Sequence, residues 1–302
     1  MNLYNMKKSV FTVALFLGLQ VSLTTKAQNE SITLRVQNSV RPLVEKWVTE
    51  YTKINNDVTF QIVSGKVENA DNSISFVTEQ NDNAVFFARY AVLPVVTKGS
   101  EAAQLLNGKR LNAKKLKNIF FLKDDFDEDV KDSKIEKELQ IYTGNSQQSA
   151  SRTYAAFFNQ ETSNYKGKRI SGDDSFLNIA ISRDPLGVAI NSLSNIFDLQ
   201  SRSLHQDLSL VPLDVDKRGK QVLDEANLDN IIQLLEQQQF DEIALGKLGV
   251  EYDNSNSRLN DFVQWILTDG NKYIHEYGLL QLTKKELATQ MNRMRRNDVA
   301  QK

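Results

Sequence analysis

Apolar residues along this chain follow two rhythms that take turns: alternation in short runs, and steps of three and four in longer ones. Ile32–Val36 alternates as a half-buried strand does. It passes through the polar Gln37-Asn38-Ser39 into a stretch where Val40, Leu43, Val44, Trp47, Val48, Tyr51 and Ile54 share one helical face. Pro42 falls in the first turn, where a missing N–H costs nothing, and Ser39 is the expected cap. Asn55-Asn56-Asp57 stops the helix, and Val58–Val63 reads as a second strand that ends in Ser64-Gly65. Strand, helix and strand joined by short loops imply a parallel sheet with a right-handed crossover.

A third strand, Ile74–Val77, ends in Thr78-Glu79. Ala84–Val96 is a long apolar run interrupted by Arg89 and Pro94. It predicts a strand that leaves one sheet and enters another, with Pro94 near an end. Leu111–Phe121 is a short helix with Asn112 as cap, and Phe176–Ile181 another. Asp184–Asn191 is a turn into a strand, and Leu208–Val215 a further strand. Leu228–Leu235 is helical, Ile243–Tyr252 is a strand broken by Gly246 and Gly249, and Leu259–Tyr277 is a helix pair around Asp269-Gly270. Lys284–Arg296 is a charged terminal helix. The acidic stretch Lys123–Lys137 lacks the Asp/Asn alternation and central glycine of a calcium loop, and reads as a solvated insertion.

The stretch richest in candidate chemistry is Ile141–Phe158. A short apolar run opens into the hydroxyl-rich loop Thr143–Arg152, which feeds a helical pattern carried by Tyr154, Ala155, Phe157 and Phe158. A helix start leaves backbone N–H groups facing outward, backed by the positive end of the helix dipole. Ser149, Ser151 and Arg152 at such a place either cradle an anion or act as ordinary caps beside a solvated arginine. Small polar residues at Ser39, Ser64-Gly65 and Thr78-Glu79 repeat the arrangement, and open parallel sheets bind ligands beyond the carboxyl ends of their strands.

Composition narrows the chemistry. The 302 residues include no cysteine, so disulfides, thiolate metal sites and a cysteine nucleophile are excluded. Two histidines leave no room for a three-histidine zinc site and argue against a His-based triad. With no glycine-rich phosphate loop and no catalytic constellation, the chain reads as a non-enzyme without cofactor or metal. Lys7 and Lys8, the apolar Ser9–Leu23 and Thr25-Lys26-Ala27 form an expected cleavable export signal over residues 1–27, too short to span a bilayer. A periplasmic location follows as the expectation. Lys+Arg 37 against Asp+Glu 38 falls to 34 against 38 without that segment's three lysines, which gives no support for a nucleic-acid partner.

The order of these motifs resembles the phosphate-binding, type II periplasmic solute-binding proteins of ABC importers. The opening strand, Gln37-Asn38-Ser39, and the helix reaching Trp47 and Tyr51 are similar to that family's first strand, Gly-Ser-Thr-like loop and Trp-x-x-x-Tyr helix. Leu111–Phe120 resembles its leucine-rich helix, Gln148-Ser149-Ala150-Ser151-Arg152 its Gly-Ser-Gly-Thr-Arg loop, and Phe262–Leu282 its C-terminal segment. The resemblance implies an α/β, two-domain type II periplasmic-binding-protein-like fold with two crossing hinge strands. Residues of about 28–91 and 192–283 would form one domain, about 92–191 the other, and 284–302 a charged C-terminal helix. It implies capture of a small oxyanion, most simply phosphate, on Ser39, Thr78, Ser149, Ser151 and Arg152 by domain closure. The partner would be an inner-membrane ABC permease or another envelope protein. The alternative is a ligand-free periplasmic adaptor that keeps the scaffold. Glycines are replaced by Gln148 and Ala150, and the family's arginine upstream of that loop and its aspartate after the third strand have no counterparts here.

Overall fold

A computed structural model describes residues 31–65, 71–78, 84–123 and 134–300. The expected export signal, Glu79 and most of the acidic stretch lie outside them. β1 (Ser31–Arg35), α1 (Arg41–Thr52), β2 (Thr59–Val63) and β3 (Ser73–Thr78) follow the predicted alternation. β1 lies between β2 and β3 and is parallel to both. α1 packs onto this sheet through Leu43, Val44, Trp47 and Tyr51. Trp47 is fully buried, stacks edge-on to Phe87 at 5.1 Å, and donates its indole N–H to the Gly270 carbonyl at 2.8 Å. Ile54 is 65% exposed because the helix ends before it. The expected Ser39 cap is not formed. Val40 stands at the cap position with no side-chain bond, because Gln37's carbonyl takes the N–H groups of Val40 and Arg41 in a preceding turn.

β4 (Val85–Thr97) runs through the middle of the molecule. After it come α2 (Glu101–Leu106), α3 (Ala113–Phe120), α4 (Lys134–Glu138), β5 (Gln140–Gly144), α5 (Ala150–Phe157) and β6 (Lys168–Ile170). They continue with α6 (Ser175–Ser182), β7 (Gly187–Ser192), α7 (Leu193–Ile196), and the short β8 (Phe197–Asp198), β9 (Ser203–Leu204) and β10 (Leu208–Leu210). The chain closes with α8 (Lys217–Glu225), α9 (Leu228–Gln237), β11 (Ala244–Tyr252), α10 (Ser257–Leu267), a 3-10 helix over Asp269–Tyr277, β12 (Leu280–Gln281) and α11 (Lys284–Ala300). The main sheet has the order β2-β1-β3-β11-β4-β7-β5-β6, with β10 and β12 also on β4.

β4 changes partner partway along. Its first part pairs with β11 from Val85 to Val92, and Val92–Val96 pair with β7. Pro94 lies inside the strand, opposite Ile190, rather than near an end. Its carbonyl faces the other side and accepts from Val211 N at 3.1 Å. The N and O of one strand residue point the same way, so the missing N–H falls beside the end of β10 and spares the β7 ladder. β11 is continuous where breaks at Gly246 and Gly249 were expected; a register shift between Leu248 and Gly249 absorbs the irregularity. Strand pairing in Leu208–Val215 stops at Leu210, leaving a single bridge from Leu213 to Leu111. This stretch therefore runs beside the far end of β4. Among the described residues, no helix is long and apolar enough to cross a membrane.

Candidate functional site

The parallel strands of both halves of the sheet end at one cleft of about 350 Å³. Gln37, Asn38 and Ser39 reach it from the end of β1, Ser64 from β2 and Thr78 from β3. Ser146 and Gln148 come from β5, Asp173 and Asp174 from the loop after β6, and Ser192, Ser194 and Asn195 from β7 and α7. Tyr90 of β4 lies between these two sets. On the first wall, α1 opens toward the cleft with no side-chain cap, and Arg41 ties the helix to β2 through a 2.8 Å bond to Ser64 Oγ. The amide nitrogen of Gln37 is shut away from solvent without a hydrogen-bond partner.

The opposite wall is already satisfied. Ser149 caps α5, accepting from Ser151 N at 3.2 Å, and its hydroxyl donates to Asp174 Oδ1 at 2.7 Å. The other Asp174 oxygen accepts from Ala150 N at 2.6 Å. The first turn of α5 thus holds a carboxylate supplied by the chain itself. Gly144 makes room for it, since a Cβ there would collide with both Ser149 Oγ and Asp174 Oδ1. Burial raises the Asp174 carboxyl above its ordinary range and Asp173 adds to this, while the two donated bonds pull it back in part. Asn191, fully buried, holds the wall together. Its amide donates to the Asp174 carbonyl at 2.8 Å, and its oxygen accepts from Ser192 N at 2.9 Å and Asn195 Nδ2 at 2.8 Å.

Of the residues expected at a site, Ser39 and Thr78 meet at the cleft. The hydroxyls of Ser149 and Ser151 are consumed inside the wall; Ser151 Oγ accepts from Gly144 N at 2.9 Å. Arg152 lies elsewhere: it bonds Gln147 Oε1 at 2.7 Å and lines a separate hollow of about 850 Å³ on the far side of Thr78. The aspartates, Asn191 and Tyr90 were not anticipated. Asp173-Asp174 stand directly before the α6 pattern, a helix-start signal that hides as a surface turn. The Tyr90 hydroxyl makes a short hydrogen bond to Thr153 Oγ1, joining β4 to α5. Among the described residues, the charged groups lining the cleft are Asp173 and Asp174, and the nearest basic group on its first wall, Arg41, is bonded to the lining Ser64.

The architecture matches solved structures over most of its length. A protein from Clostridium perfringens described as a phosphate ABC transporter substrate-binding protein, solved with bound phosphate, is 14% identical. The match covers 84% of this chain and 100% of that one, with a TM-score of 0.55. An ABC-type phosphate transport receptor from Vibrio cholerae is 12% identical over 83% and 100%, with a TM-score of 0.51. A protein from Planctomyces limnophilus described as phosphate-binding is 9% identical over 88% and 98%, with a TM-score of 0.50. The fold is that of the type II periplasmic binding proteins. It is mixed α/β and two-domain, as the resemblance in sequence implied. No protein-family model matches the chain, and no curated protein is similar to it.

Proposed function

We propose that this chain is a periplasmic solute-binding protein, exported by residues 1–27, that captures a small polar molecule for an ABC importer. One observation carries the reading. All the parallel strands in the two halves of the sheet, β1–β3 and β5–β7, deliver their carboxyl ends to one ligand-sized cleft. Open α/β sheets take ligands there, and loops from two domains let a solute be enclosed between them. In this reading, residues of about 28–91 and 192–283 form one domain, 92–191 the other, and β4 is one of the connections that bend on closure. The ligand touches Ser39, Thr78, Ser192 and Asn195, while Ser149 and Ser151 shape the wall. Phosphate is the ligand that the family resemblance brings forward, and the charge of the cleft supports a different class, argued below.

Thermal unfolding of the purified protein against a panel of phosphate, sulfate, amino acids, sugars and polyamines tests this. A solute that raises the midpoint saturably, and titrates one-to-one by calorimetry, is the expected result. A folded protein that responds to nothing would instead favour a ligand-free adaptor. One observation speaks for that second reading: Asp174 already fills the start of α5.

A further inference from the structure

We infer that Asp174 sets the charge selectivity of the cleft, excluding oxyanions and fitting it to a solute with no net negative charge. The inference rests on the solute-binding reading above and names the class of solute. The carboxylate takes the Ser149 hydroxyl and the Ala150 N–H, the donors at the start of α5 that an incoming anion would need. It is held in place: the buried Asn191 pins the Asp174 backbone, and Gly144 leaves the space it occupies. Asp173 stands beside it in the same wall, its Oδ1 accepting from Ser175 N at 2.9 Å. No lysine or arginine is among the described lining residues to offset the pair: Arg41, bonded to the lining Ser64, is paired with Glu45, and the Arg152 guanidinium serves a different hollow. A dianion in the cleft would meet like charge in a partly desolvated wall, where repulsion is poorly screened.

The remaining chemistry is directional. The β1 side offers the Ser39 hydroxyl as a donor, beside a start of α1 whose first N–H groups are turned back onto the Gln37 carbonyl. The β6 side offers the acceptors of Asp173 and Asp174. A fitting solute carries an acceptor at one end and an ammonium or hydroxyl donor at the other, as a zwitterion or small polyol does. The volume of about 350 Å³ suits a molecule of that size.

The test compares wild type with Asp174→Ala and Asp174→Asn, using thermal unfolding and calorimetry with phosphate and with sulfate at constant ionic strength. Wild type is expected to respond to neither anion. Asp174→Ala, lacking the internal carboxylate, is expected to start less stable and to be rescued by both anions. Its phosphate affinity should rise at least about tenfold over wild type, or about 1.4 kcal/mol. Asp174→Asn keeps both wall bonds, accepting from Ala150 N and donating to Ser149 Oγ. It reads charge alone, with a smaller gain, and keeps the test open if the alanine variant does not fold. Wild type that responds to phosphate as strongly as the variants overturns the inference while leaving solute capture standing. Folded variants that gain nothing also overturn it, since the carboxylate is then not what keeps oxyanions out; the solute panel still decides the reading beneath it.

Discussion

Gly246→Ala isolates one contact that ties the sheet to the cleft. Gly246 of β11 stands directly opposite Tyr90 of β4, and opposed residues of an antiparallel pair share a face. The tyrosine ring lies across the glycine, so a Cβ added there would sit 2.6 Å from both Cε1 and the hydroxyl oxygen of Tyr90. The backbone at Gly246 is not in the left-handed region, which leaves collision as the whole difficulty. The ring cannot swing aside freely, because Tyr90 is 6% exposed and its hydroxyl is bonded to Thr153. Overpacking costs about 1–3 kcal/mol. Loss of the hydroxyl bond adds about 1 kcal/mol. The stiffer unfolded chain returns about 0.5–1 kcal/mol. The expected net loss is therefore about 1–3.5 kcal/mol, read as a lower urea midpoint at unchanged slope. A double-mutant cycle assigns the cause. In a Tyr90→Ala background the new methyl group meets no ring, so Gly246→Ala should cost nothing there, and the coupling should be about 1 kcal/mol or more. A coupling below about 0.5 kcal/mol, the usual scatter for independent sites, would refute the reasoning.

Trp47→Phe leaves the buried Gly270 carbonyl without its 2.8 Å donor and should cost about 2–3 kcal/mol by urea unfolding; a loss under about 0.5 kcal/mol would show that the bond is replaceable. For Glu236, burial pushes the carboxyl up, but bonds from the His275 ring at 2.8 Å and Gln281 N–H at 2.6 Å outweigh it and hold the group below its ordinary 4.5. A depressed folded value contributes stability above the unfolded value that is lost as pH falls through the folded one. Glu236→Gln should therefore flatten the decline in stability below about pH 4.5 relative to wild type, with parallel curves as the contrary result. Arg152→Ala should leave stability within about 0.5 kcal/mol and the binding of any solute unchanged; a loss of affinity would return Arg152 to the site.

The frame of the molecule was legible because it rests on local periodicity. The alternation in Ile32–Val36 and the helical face from Leu43 to Tyr51 depend on what each residue buries, and they became β1 and α1. Pairings decided between residues far apart were not legible. Gly246 and Gly249 read as breaks, yet β11 runs through them because Tyr90 needs the space at one and a register shift absorbs the other. The site divides in the same way. Ser149 was visible as a cap, but the group it donates to lies 25 residues away, and nothing in the spacing of Asp173-Asp174 announces it. For Arg152 the difference is one of phase. α5 begins at Ala150 rather than after Arg152, so the arginine sits within the first turn, and its guanidinium faces the neighbouring hollow.

That phase bears on what the cleft is for. Helix starts reach it from both halves, among them α1 from one and α5 from the other, each with its positive dipole end toward whatever lies between. Were both open, they would favour an anion with no lysine or arginine among the described lining residues. The chain treats them differently. α1 has no side-chain cap, its first N–H groups being satisfied by the Gln37 carbonyl, whereas α5 is closed by a hydroxyl and a carboxylate packed against a glycine. A carboxylate is costly to bury, and burial does raise Asp174; only the fixed donors of α5 and Ser149 make the position tolerable for the charged form. Capping alone does not require this arrangement, since Ser149 already accepts from Ser151 N. The surplus is negative charge set into one wall of a cleft whose other wall offers the Ser39 hydroxyl, an asymmetry that orients a dipolar solute and repels a dianion.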